Sequence, residues 1–283
     1  MPPVRTISSS NGTKGECGPY TNPQTMVGTS GDVTVGNDVW SPPEGSWSQT
    51  LNVTNAGSWN VVANFPADTS VHSFPNTGQT QDWIDGTQLP AALSTWSSMI
   101  STYSVTLNAH SGTVAEAGYD LWLNDWNTEV MIQTDFAGDS LRPRCDVNGD
   151  VITSATFGGT DGVPVQRWNL CQFGSEVIWQ PSTGTNYPSD RVNVMAMLTW
   201  LENHGNGKYL AKNPTLTAVS FGFEICSTGG KNQTLQVNNF SLVATPAKLS
   251  GTGWGRRAAR RGRPDRRDPR RRRRPDLCGQ PRC

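Results

Sequence analysis

From Asp32 to Ala244 the chain alternates apolar and polar positions in short runs. VTVGNDVW, SWNVVANF, STYSVTLN, GYDLWLND, TEVMIQTDF, SEVIWQP, TAVSFGFEIC and LQVNNFSLVA follow one another between Gly-, Pro-, Asn- and Ser-containing turns. A repeat of two belongs to a strand with one buried face. Runs of this length at this spacing predict an all-β fold, a sandwich of two antiparallel sheets. One segment departs from the pattern. In SDRVNVMAMLTWLENHG, Val192, Met195, Leu198 and Leu201 recur at helical spacing, with Ser189 or Asp190 to cap the start and Gly205 to end it. It predicts one short helix packed outside the sandwich, its Met residues filling core.

The pattern also sets the domain limits. Residues 1–30 read as a flexible leader merging into a first strand, 31–246 as one domain and 247–283 as a disordered tail. The tail is chemically unlike the rest: residues 256–283 hold 13 Arg and 3 Asp, while residues 1–255 hold 10 Lys+Arg and 20 Asp+Glu. The formal net charge of zero is therefore the sum of two opposite pieces. An acidic body argues against nucleic acid as its partner. The tail reads either as a polyanion-binding segment or as a readthrough or frame-shifted end of a GC-rich gene. Its low complexity favours the second.

No apolar run is long enough to span a bilayer, so no membrane partner is expected. The start MPPVRTISSS lacks the apolar stretch of an export signal. A secreted protein then requires a signal upstream of Met1. Cys17, Cys145, Cys171 and Cys226 lie in the body, Cys278 and Cys283 in the tail, with no zinc-type spacing. The four body cysteines allow three pairings. Cys145 with Cys171, flanking a hairpin pair, is one; free buried thiols are the alternative. His72, His110 and His204 form no triad or metal pattern.

Two strands carry a carboxylate in mid-run. In TEVMIQ, Glu129, Met131 and Gln133 share a face opposite Val130 and Ile132. In SFGFEICST, Gly222, Glu224 and Cys226 share a face opposite Phe221, Phe223 and Ile225. YDLWLNDW behaves likewise, with Tyr119, Leu121 and Leu123 in the core and Asp120 and Trp122 facing with the glutamates. The apolar sets point into the sandwich, so the acids line the outer, concave surface of one sheet. An acid beside a Trp suits a sugar cleft, because the ring stacks on a pyranose. Two carboxylates about 5–5.5 Å apart cleave a glycosidic bond with no metal or cofactor. A mid-strand Glu is more often a solvated outer-face residue; two of them, with Asp120, shift the balance.

In combination and order these motifs resemble glycoside hydrolase family 12, over roughly residues 32–244. NDVW at Asn37–Trp40 is similar to the family's early strand, VHSFPNT at Val71–Thr77 to its SYPN segment, and YDLWL to the strand whose Asp supports the nucleophile. TEVMIQ is similar to the nucleophile motif, and SFGFEICST to the acid/base strand. The resemblance implies a β-jelly-roll with an open cleft and a retaining endo-β-1,4-glucan hydrolase, secreted, monomeric and without cofactor. It implies Glu129 as nucleophile, Glu224 as general acid/base and Asp120 tuning Glu129. It implies Trp40 as a stacking platform and Met131 beneath the reacting sugar; Trp122, beside the acid on its face, or Trp126 is expected to compensate for the ring absent at Gln133. Gln133 stands where the family has Trp, and its amide can hydrogen-bond sugar hydroxyls. The competing expectations are a β-glucan-binding sandwich without turnover and a xyloglucan or xylan hydrolase.

Overall fold

In a computed structural model, residues 5–10, 34–39, 41–79, 89–138, 151–173, 175–182 and 185–248 are described. The strands in chain order are β1 (Arg5–Ser10), β2 (Thr34–Gly36), β3 (Ser48–Asn55), β4 (Ser58–Asn64), β5 (Asn76–Gln79), β6 (Ala91–Ala92), β7 (Trp96–Thr106) and β8 (Thr113–Leu123). Then come β9 (Thr128–Ala137), β10 (Thr153–Phe157), β11 (Gln166–Phe173), β12 (Glu176–Pro181), β13 (Ser189–Asn193), helix α1 (Val194–Asn203), β14 (Thr215–Thr228) and β15 (Gln233–Pro246).

They form two sheets, as the alternation predicts. The smaller runs β1-β3-β4-β15-β7-β13. The larger runs β10-β11-β12-β9-β8-β14-β5-β2, with β6 also paired to β14. One pairing departs from the antiparallel expectation: β12 runs parallel to β9. Arg5–Ser10, expected within a flexible leader, is an edge strand on β3. Among the described residues, no helix is long and apolar enough to cross a membrane.

The helix starts later than its spacing suggests. Ser189–Asn193 pairs with β7 and buries Val192, so the strand takes residues assigned to the first helical turn. The cap is Asn193, not Ser189 or Asp190, and its side chain accepts the Ala196 N–H at 2.9 Å. Val194, Met197, Leu198 and Leu201 are buried, and α1 packs beside β7. Met195 is only half-buried.

The core between the sheets fixes the strands that carry the acids. Tyr119, Leu121 and Leu123 from β8, Val130 and Ile132 from β9, and Phe221, Phe223 and Ile225 from β14 are all fully buried. Their rings interlock: Tyr119 and Phe221 lie 4.8 Å apart, Phe221 stacks on Phe240 at 4.8 Å, and Trp59 meets Phe223 edge-on at 5.5 Å. Because side chains alternate, each buried ring sets the direction of the acid beside it. Polar ties cross the core as well, among them Tyr119 Oη to Ser101 Oγ at 2.6 Å and Trp59 Nε1 to Thr77 Oγ1 at 2.6 Å. Tyr119→Phe removes that donor from a dry site and is expected to cost about 1 kcal/mol in urea unfolding. An unchanged midpoint would mean that the tie carries no net stability.

Candidate functional site

β8 is the middle strand of the site, with β9 on one side and β14 on the other. Its outward set is Glu116, Gly118, Asp120 and Trp122. Glu129 stands opposite Trp122, Met131 opposite Asp120 and Gln133 opposite Gly118. On the other side, Ser220 stands opposite Asp120, Gly222 opposite Gly118 and Glu224 opposite Glu116. All the acid positions expected from the sequence thus share one face. Glu129 and Glu224 are not on paired strands, however: β8 separates them, and their levels on it differ by six residues, Trp122 against Glu116. Asp120 lies between them on the diagonal.

Two glycines curl this face. A Cβ on Gly222 would come 2.1 Å from the Pro75 carbonyl oxygen before β5, and one on Gly118 would come 2.9 Å from the Ile132 oxygen of β9. Both hypothetical side chains point to the acid face. The neighbouring backbones therefore rise over that face on both flanks, which only glycine permits.

The electrostatics of Asp120 report a gathering of acids. Burial pushes its carboxyl up to about 8; a hydrogen bond from Trp122 opposes the rise, and the fields of Glu224, Glu176 and Asp38, when ionised, add to it. Those three acids come from β14, β12 and the segment after β2. Trp122 Nε1 donates to Asp120 Oδ2 at 2.8 Å. Asp120 Oδ1 is buried and has no hydrogen-bond partner among the described residues. A buried carboxyl held neutral among acids is typical of a functional cleft.

The turn after β8 adds aromatic surface. Asn124, Asp125 and Trp126 have φ of 54°, 56° and 67°. A Trp in the left-handed region is held against its preference. Asn127 Nδ2 donates to the Asn124 carbonyl at 2.7 Å, and Thr217 Oγ1 accepts the Asp125 N–H at 3.0 Å. The Trp126 ring lies 5.7 Å from that of Trp122, both half-buried at the Glu129 end of the face.

Gln133 departs from its expected contact with sugar hydroxyls. It is fully buried, donates from Nε2 to Glu116 Oε1 at 2.7 Å and accepts from Gln180 Nε2 at 2.5 Å. Its amide is satisfied by protein, because the parallel β12 brings Gln180 level with it. Met131 is buried in a small apolar cluster with Cys171 and Ile178, against which Val151 packs. Cys171 is disulfide-bonded, and Cys226 is a buried thiol outside any disulfide. Cys145, the expected partner of Cys171, and Trp40, the expected stacking platform, lie outside the described residues.

Four residues of the site were not singled out from the sequence: Glu116, Glu176, Gln180 and Asp38. The same alternation that marks Asp120 marks Glu116 in TVAEAGYDLW, and it marks Glu176 in SEVIWQ. Their strand neighbours are what the sequence does not show. Register with β9 sets Glu176 beside Glu129.

No protein-family model matches the sequence, and no curated relative aligns with it. Solved structures do resemble it. The xyloglucanase domain of NopAA, a type three effector from Sinorhizobium fredii in complex with cellobiose, superposes with a TM-score of 0.60 at 19% identity, covering 86% of this chain and 100% of that one. A family 12 xyloglucanase from Bacillus licheniformis superposes with a TM-score of 0.59 at 18% identity, covering 84% and 99%. Endoglucanase cel12A from Rhodothermus marinus gives 0.60 at 16%, covering 85% and 100%. The fold is the jelly-roll sandwich of the family 12 glycoside hydrolases.

Proposed function

We propose that this protein is a glycoside hydrolase that cleaves β-1,4-linked glucan. The observation that carries the reading is the curled face on which Asp120, held neutral beside Trp122, gathers the fields of Glu224, Glu176 and Asp38. The fold is shared with xyloglucanases and endoglucanases, one of them holding cellobiose. Trp122 and Trp126 offer ring faces for pyranose stacking at the Glu129 end, and Trp40 is proposed as a further platform.

In this reading Glu129 is the nucleophile. Its carboxylate attacks the anomeric carbon while Glu224 gives its proton to the leaving oxygen, and the glycosidic C–O bond breaks. A glycosyl ester on Glu129 remains. Glu224 then takes a proton from water, the water oxygen attacks the same carbon, and the ester bond to Glu129 breaks. Asp120, between the two, sets the local field. Met131, packed beside Cys171 and Ile178 and opposite Asp120, is proposed to support the floor beneath the reacting sugar. Retention requires the carboxyls to close to about 5–5.5 Å. Six residues along β8 is roughly 20 Å at about 3.3 Å per residue, so register alone does not bring the two carboxyls together, and the anomer released decides the mechanism. The competing outcome, inversion, uses a wider pair at about 6.5–9.5 Å.

The deciding measurement is the anomer first released from a cello-oligosaccharide, read by proton NMR before mutarotation. The β-anomer is expected. The α-anomer would replace double displacement by single displacement. A parallel panel of carboxymethylcellulose, mixed-linkage glucan, xyloglucan and xylan assigns the substrate. Binding without release of reducing ends on all four would replace the hydrolase by a glucan-binding sandwich. We also propose export to an oxidising compartment, supported by the disulfide at Cys171.

A further inference from the structure

Glu116 has no part in the mechanism above, yet it is the most deeply placed acid on the face. It is fully buried and stands directly opposite Glu224 across β8 and β14. Residues so paired have Cβ atoms about 4.5–5.5 Å apart. Carboxylates carried on Cβ atoms so close repel when both are ionised, one of them fully buried, so the pair holds one proton over a wide pH range. Burial favours the proton on Glu116, the fully buried member, over half-buried Glu224, and the hydrogen bonds oppose it. Gln180 donates to Gln133 at 2.5 Å, and Gln133 donates to Glu116 Oε1 at 2.7 Å. A donated N–H favours the charged form of its acceptor.

We infer that Glu116 is a positioning residue that keeps Glu224 protonated: the Gln180–Gln133 amide chain holds the negative charge on Glu116, and the proton of the pair stays on Glu224, ready for the leaving oxygen. This rests on the reading of Glu224 as general acid. It also gives Gln133 a role that its position in the strand motif does not suggest, because an indole there has no second polar end to continue the chain.

The other charged groups around the pair work in the same direction. Glu129 on β9, Glu176 on β12 and Asp38 after β2 are acids of this site, Asp120 on β8 stays neutral, and on the segment bridged to β14 at Ile225 His72 is paired with Asp68. β5 contributes none. Across the strands of this sheet the only basic residue is Arg167, exposed on β11.

Glu116→Gln tests the inference through the pH profile of kcat/KM on a soluble β-glucan. The alkaline limb is expected to move to lower pH by at least about one unit, because the like charge that raises Glu224 is gone. An unmoved limb overturns the inference. A second readout needs no activity. In the full-length protein carrying 13C at glutamate carboxyls, wild type is expected to show one glutamate ionising above about pH 6. That step is absent or lowered in Glu116→Gln. Should Glu116→Gln fail to fold, Gln133→Leu keeps both carboxyls and removes the donor. The lower ionisation of the pair is then expected to move up; if it stays, the amide chain does not hold the charge. If Glu224→Gln retains turnover, the general-acid reading falls, while the carbon titration still decides whether the two carboxyls share a proton.

Discussion

Glu129→Gln and Glu224→Gln are each expected to lower kcat on a soluble β-1,4-glucan by at least about a thousandfold, with unchanged thermal unfolding. The physical ground is that each substitution deletes one bond-making step. A carboxamide at position 129 has no charge to attack the anomeric carbon. One at position 224 has no acidic proton for the leaving oxygen. The two losses separate on a dinitrophenyl cellobioside, whose leaving group departs without a proton. Glu224→Gln is expected to keep the first step there and to stall at the ester. Glu129→Gln is expected to remain inactive. Full turnover of glucan by either variant removes that glutamate from the mechanism. Inactivity of Glu224→Gln in the first step on the activated substrate would give it the nucleophile's role or a structural one. The offset across β8 sharpens the test, since Glu176 stands beside Glu129 and Glu116 beside Glu224. If either named glutamate is dispensable, its neighbour is the first replacement to examine.

The faces of the strands were legible from alternation alone, and the positions of the neighbours were not. Tyr119, Phe221 and Phe223 are apolar residues between polar ones, and all lie in the core. That fixes Asp120 and Glu224 on the opposite face, because backbone pleating leaves no other choice. Nothing in TEVMIQ or SEVIWQ says that these strands run parallel and side by side, which is what joins Gln180 to Gln133 and sets Glu176 beside Glu129. Pairing of strands distant in sequence is set by the whole sandwich. The β8–β9 hairpin, by contrast, is local, its strands joined by the short turn between Leu123 and Thr128. The helix start shows the same limit. Val192 fits a helical stripe and a strand alternation equally, and pairing of Ser189–Asn193 with β7 decides between them. Gln133 was read as a sugar contact because its face is the acid face. Its burial comes from Glu116 and Gln180, partners on two other strands.

Asp120→Asn is expected to flatten the pH dependence of stability. The Asp120 carboxyl ionises near 3.8 when unfolded and is pushed up to about 8 in the folded chain, first by burial, then by Glu224, Glu176 and Asp38 against the opposing bond from Trp122. Below about pH 4 both states carry the proton, and the contribution of the neutral buried carboxyl is fully present. Between about pH 4 and pH 8 the folded chain holds a proton that the unfolded chain has released. Stability then falls as pH rises, by up to about 1.4 kcal/mol for each pH unit. Above about pH 8 the loss is complete. Asn keeps an acceptor for Trp122 Nε1 and never ionises, so the variant lacks this slope. Urea unfolding at pH 4.5, 6 and 7.5 is the measurement. Wild type is expected to lose ground to Asp120→Asn at each step, by less than the single-site limit because the neighbouring acids take up part of the titration. Parallel curves for the two proteins would mean that Asp120 is ionised in the folded chain, and the field that gathers on it from β14, β12 and the segment after β2 would then need a counter-charge on this face.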